Sequence, residues 1–196
     1  MGTSKNRKAA YVQAKQRLMT DLAGDEAVVA ETAVNLFERF VFPKRYTGGC
    51  YLVTMFLQRF LKEEKAVAVT PVVGYVNDGT DDIMISHAWL ELNSLKTDVT
   101  LHLTEYPEIQ LPGALLILDQ PLLKGQVEHS YHREETAAGF AENQRLALGS
   151  LRDMVAQKDA EHAYMSECMT DPARMAAHQA KAPRGLRYDD MRAVLV

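Results

Sequence analysis

The sequence predicts an α+β fold: N-terminal helices, one of them starting at Cys50, packed on an antiparallel sheet of about four strands and followed by C-terminal helices. Two observations predict it. Apolar residues recur at helical spacing up to about residue 64 and again from about Glu134 onward. The stretch between consists of short β-branched runs separated by clusters of Gly, Pro, Asn and Asp. With 196 residues, 47% of them hydrophobic, the chain can fill one full core. We expect a unit over 1–130 that holds the first helices and the sheet, and a helical extension over 131–196 that packs on it.

Taken in order, the first segment carries Lys5, Arg7, Lys8, Lys15 and Arg17 and reads as a helix that ends at Gly24. Its basic face is expected to be solvated rather than laid on a membrane. Asp25 is placed to cap a second helix, with Val28, Val34, Leu36, Phe37 and Phe40 on its buried face and Pro43 past its end. The glycine-rich turn Lys44-Arg-Tyr-Thr-Gly-Gly then runs directly into Cys50 and a third helix, whose apolar face is Leu52, Met55, Phe56, Phe60 and Leu61. Next, Lys65 to Val76 reads as a strand in which Pro71 and Gly74 mark an edge or a bulge. Ile83–Leu92 and Thr97–Thr104 read as two more strands, and Ala114–Leu118 as a fourth. From Glu134 a long amphipathic helix is expected, weakened at Gly139 and Gly149. Shorter helical pieces follow around Ala160–Met169, Pro172–Ala180 and Tyr188–Val196.

Composition excludes several classes. The formal charge of −4 and a pI near 5.9 argue against a nucleic-acid binder. No apolar run approaches the roughly 20 residues that cross a bilayer, and no signal-peptide pattern opens the chain, so a cytoplasmic protein is expected. In that compartment the two cysteines, Cys50 and Cys168, are not expected to form a disulfide, and alone they make no thiolate zinc site. His129-Ser-Tyr-His132 would put two imidazoles on one face if that segment were helical. No third patterned ligand accompanies them, so neither metal nor cofactor is expected.

Cys50, His87 and Asp98 carry the chemistry that remains. A cysteine at a helix N-terminus meets unpaired N–H groups and the helix dipole, which favour an anion, and Gly49 before it lets backbone approach closely. The plain alternative is a small buried hydrophobe. His87 and Asp98 lie on the two strands flanking the short link Asn93–Lys96. Antiparallel partners have residue numbers of constant sum, and a loop of two or four residues makes that sum odd, which puts both side chains on one face. A two-residue turn at Asn93-Ser94 sets Asp98 opposite Trp89 and diagonal to His87. A four-residue loop sets Asp98 opposite Glu91 and His102 opposite His87, and a three-residue loop separates the pair. Trp89 is either core or an aromatic wall of the cleft.

Gly-Cys opening a helix, Val-Ala-Val-Thr-Pro-Val-Val-Gly-Tyr-Val, His87-Ala-Trp-Leu-Glu-Leu and Thr97-Asp-Val-Thr together resemble the core of the transglutaminase-like superfamily, over roughly residues 45–104. The scale is similar to that of small bacterial peptidases such as lasso-peptide leader peptidases. Val99 stands where a proline is more usual. The resemblance implies that Cys50 is a nucleophile, His87 its base and Asp98 the residue that orients the base. It also implies a thioacyl intermediate, resolved by water in peptidases, amidases and deamidases, and by an amine in acyl transferases. We expect hydrolysis of an amide or peptide bond, with a peptide or protein substrate. Acyl transfer and an inactive interaction module are the alternatives. Gly49 and Trp89 are the candidates for substrate or oxyanion contact, and the glutamine that papain-like enzymes place shortly before their cysteine is missing from Lys44–Gly49.

Overall fold

The structure is a computed structural model describing residues 4–196; residues 1–3, on which part of the signal-peptide expectation rests, lie outside it. Helix α1 spans Ser4–Asp21 and α2 spans Gly24–Leu36. Asp25 lies in the first turn of α2 rather than capping it, because Gly24 already belongs to the helix and Ala23 is the residue before it. A π turn over Phe37–Val41 and a last turn α3, Phe42–Lys44, prolong α2 to Arg45, whose left-handed φ of 48° ends it. Helix α4 spans Cys50–Lys65.

The main sheet has the order β3-β2-β1-β6 and is antiparallel throughout. Its strands are β1 Thr70–Asn77, β2 Ile85–Leu92, β3 Leu95–Thr97 and β6 Ser130–His132. The β2–β3 turn is Asn93-Ser94, both left-handed, and it pairs Leu92 with Leu95 and Leu90 with Thr97. Such a two-residue turn matches the twist of its strands.

Two strand expectations differ from what forms. The strand expected over Thr97–Thr104 stops at Thr97. The Asp98 carboxylate collects Thr100 N, Thr100 Oγ1 and Leu101 N, a local bond set that bends the chain out of the ladder. The run Ala114–Leu118 enters a separate hairpin, β4 Leu115–Ile117 with β5 Gln120–Leu123, turned by left-handed Leu118 and Asp119. That hairpin is tied to the main sheet by two bonds between Asp98 and Leu116, of 2.7 and 2.9 Å. The fourth strand of the main sheet is Ser130–His132. Because Ser130–His132 is a strand and not a helix, the helical face that would have carried both His129 and His132 does not form.

The long C-terminal helix is interrupted at Leu148–Leu151, around Gly149, giving α5 Ala137–Ala147 and α6 Arg152–Thr170, then α7 Pro172–Ala180 and α8 Tyr188–Leu195. Phe37, Phe40, Phe56, Phe60, Leu61 and Leu90 lie in one apolar cluster with Tyr188 and Met191 of α8, so the chain's last helix closes the core that the first helices begin. A second cluster joins Tyr51 and Met55 of α4, Ala88 of β2 and Met165, Cys168 and Met175 of α6 and α7, with Cys50 packed against it. Among the described residues no helix is long and apolar enough to cross a membrane.

Candidate active site

Cys50 is the first residue of α4, so its backbone N–H and those just after it have no carbonyl a turn earlier to bond. Gly49 precedes it because nothing larger fits: a Cβ there would lie 2.0 Å from the Tyr46 ring. Gly48 takes a left-handed φ of 66° and faces the Glu105 carboxylate. These two glycines turn the chain sharply into the helix and leave Cys50 half-buried on a cleft of about 110 Å³.

His87 lies on β2 and lines the same cleft. Since β3 pairs only with Leu90–Leu92, the outer edge of β2 is free further back, and the cleft opens along it. The observed turn makes the residue sum odd, so His87, Trp89 and Asp98 share one sheet face. His87 Nε2 donates to Asp98 Oδ2 at 2.6 Å, and both side chains are buried. With Nε2 committed to Asp98, Nδ1 is the nitrogen left for Cys50. Burial works against an imidazolium here, but the charges of Asp98 and Cys50 and the bonds to both outweigh it and raise the His87 pKa. Burial likewise opposes ionisation of Asp98, yet His87 and the two Thr100 donors bring its pKa down.

Tyr131 is a member the sequence did not reveal. Its hydroxyl donates to Asp98 Oδ2 at 3.0 Å, and burial followed by the Asp98 charge raises its pKa, which keeps it a phenol and a donor. It comes from β6, a three-residue strand too short to show periodicity. Trp89 is 1% exposed and packs edge-on against Tyr131, with ring centroids 5.2 Å apart. It is therefore core behind the His87–Asp98 pair rather than a wall of the cleft, a role that Gly74 makes room for, since a Cβ there would sit 2.7 Å from the indole.

The far wall of the cleft is α6, through Met154, Lys158 and Glu161. A polar chain holds it in place: Tyr51 Oη to Ser86 Oγ at 2.5 Å, and Ser86 Oγ to His162 Nδ1, with His162 stacked on Tyr75 at 4.5 Å. The Lys158 ammonium sits between Glu161 at 3.3 Å and Glu105 at 3.8 Å. Its burial disfavours charge, but those two carboxylates and Cys50 raise its pKa. Gln110 and Thr104 line the cleft, and the buried atoms Gln110 Nε2 and Thr104 Oγ1 have no hydrogen-bond partner among the described residues.

Comparison of the chain with protein-family models, with curated proteins and with solved structures finds no match.

Proposed function

We propose that the protein is a cysteine-dependent hydrolase that cleaves an amide or peptide bond through a thioacyl intermediate on Cys50. One observation carries the reading: a buried His87–Asp98 hydrogen bond of 2.6 Å fixes the imidazole beside a cysteine at a helix N-terminus, in one cleft. The resemblance of residues 45–104 to the transglutaminase-like core supports the same assignment.

In this mechanism the Cys50 thiolate attacks the substrate carbonyl carbon and a C–S bond forms. The oxyanion is met by the Cys50 backbone N–H and by the side-chain amide of Gln110, a residue of the cleft lining whose Nε2 has no partner among the described residues. As the C–N bond breaks, the His87 imidazolium gives its proton to the leaving nitrogen. Water then enters, His87 takes one of its protons, the hydroxyl oxygen bonds the acyl carbon, and the C–S bond breaks to return the thiolate. Asp98 stays ionised throughout, holding the Nε2–H tautomer and balancing the cation. Tyr131 and the Thr100 donors hold Asp98. Neither cysteine is disulfide-bonded, and a reducing cytoplasm keeps such a thiol free.

Incubation with a library of peptide thioesters and amides, followed by acid quench and intact-mass measurement, tests the proposal. A mass gain that maps to Cys50, absent from Cys50→Ala and His87→Ala and never found on Cys168, is expected. An unmodified Cys50 that also resists iodoacetamide in the folded protein sinks it.

A further inference from the structure

The cleft does not end at Cys50. Ile85, Ser86, Ile109, Met154 and Lys158 line it and also line a second recess of about 70 Å³, which runs between the β2 edge and helices α5 and α6. Its lining is mainly apolar, with Ile83, Ile85, Ile109, Leu146, Leu151 and Met154 prominent, and its charged members are Lys158 and Asp159. On the other side of the nucleophile Gly48, Gly49, Tyr51 and Glu161 are shared with a larger cavity of about 280 Å³ that carries Tyr46, His178 and Lys181.

The geometry points to the apolar recess as the subsite for the acyl half of the substrate, and so to a substrate with a leucine-like side chain one or two residues before the scissile carbonyl. This rests on the thioacyl reading of Cys50. The assignment of sides follows from what each half must do. The leaving group must depart and water must arrive while the acyl group stays bonded to sulfur, so traffic suits the larger cavity, which carries Glu161, His178 and Lys181, and the held group suits the narrow recess. An apolar pocket selects by size and rejects charge, because a carboxylate or ammonium drawn into it loses its hydration without a partner. Ile109 lines both recess and cleft, and its neighbour Gln110 lines the cleft alone, so a side chain seated in the recess leaves its own backbone on the cleft side.

Peptidyl acyloxymethyl ketones test this directly. The thiolate displaces their carboxylate leaving group to form a stable thioether, and everything they recognise lies on the acyl side. In the set, each of the two residues before the ketone is in turn leucine, aspartate or lysine, and labelling of Cys50 in the full-length protein is followed by mass. The expected result is labelling at least about tenfold faster with leucine than with either charged residue at one of the two positions. Met154→Arg is expected to cut that preference to below about threefold and to favour aspartate, and Leu146→Asp, on the recess wall in α5, to favour lysine. Discrimination below about twofold at both positions, or a leucine preference unchanged in both folded variants, overturns the subsite. If iodoacetamide alkylates Cys50 but no ketone does, the subsite is wrong and the nucleophile stands. If neither reagent reacts, the hydrolase reading itself has failed.

Discussion

Asp98→Asn puts the greatest load on the reasoning, because the two carboxylate oxygens have different partners. Oδ1 accepts three bonds, from Thr100 N, Thr100 Oγ1 and Leu101 N, whereas Oδ2 accepts from His87 Nε2 and Tyr131 Oη. An asparagine keeps its carbonyl oxygen on the crowded Oδ1 side and turns its NH₂ toward His87 and Tyr131. Donor then faces donor. The imidazole escapes by moving its proton to Nδ1, which presents an N–H to Cys50 where an acceptor is needed. The wrong tautomer in an otherwise intact triad slows the reaction about 10⁴-fold. Three of the five bonds survive, so the fold should lose only about 2 kcal/mol, the cost of leaving one or two buried groups unpaired.

The same substitution has a defined pH signature. The folded pKa of His87 is raised, so its contribution is fully present below the unfolded value of about 6.5 and is lost as pH rises through the folded pKa. That of Asp98 is lowered, so its contribution is present above the unfolded value of about 3.8 and is lost as pH falls through the folded pKa. The stability difference between wild type and Asp98→Asn is therefore largest between about pH 4 and 6.5 and shrinks on both sides. Urea unfolding across pH measures this, and alkylation of Cys50 by iodoacetamide at pH 6, with Cys168 as internal control, measures the chemistry. A folded Asp98→Asn protein whose Cys50 reacts at the wild-type rate, or a stability difference flat from pH 4 to about pH 10, would refute the paired charges.

Three further substitutions separate the parts of the site. Tyr131→Phe removes one donor to Asp98 and should cost about 1.5 kcal/mol in urea unfolding, with acylation slowed far less than by Asp98→Asn; an equal loss in both variants would mean that Tyr131 touches substrate. Gly49→Ala drives a methyl into the Tyr46 ring, so the entry to α4 must shift, at about 1–3 kcal/mol and with loss of acylation; unchanged thermal unfolding would show that the turn yields freely. Gln110→Ala should slow acylation by about 100-fold while leaving iodoacetamide alkylation, which forms no oxyanion, near wild type; parallel loss in both reactions would assign Gln110 to thiol positioning.

The parts legible in the sequence are those that a local pattern dictates. Leu52, Met55, Phe56, Phe60 and Leu61 repeat at helical spacing, which places Cys50 at the start of α4. A two-residue link is one of the three loop lengths that the sequence allows, two of which give an odd sum, and it is the left-handed pair Asn93-Ser94 that selects it. What escaped depends on partners distant in the chain. Ser130–His132 is a strand only because β1 offers it an edge, so Tyr131 carried no mark of its place beside Asp98. Helix α6 is a wall of the cleft, yet it buries only Met165 and Cys168. Its inward positions Lys158, Glu161 and His162 meet polar groups, and a helix that faces a polar cleft shows no apolar stripe for a sequence pattern to find.

Asp98 explains why the strand expectation failed at the same place where the site expectation led to a close contact. A residue that orients a buried imidazole must itself be immobile, and a carboxylate is held by donors. The nearest donors are the backbone N–H groups two and three residues ahead, and recruiting them to Oδ1 takes them out of the β ladder. Ending β3 at Thr97 also leaves the edge of β2 beside His87 unpaired, and the cleft opens along that edge. Had Thr97–Thr104 continued as a strand, its ladder would have run along β2 beside His87, the edge on which the cleft now opens. The departure from regular structure and the opening of the site meet at one residue, whose side chain holds Thr100 and Leu101 and whose backbone pairs with Leu116.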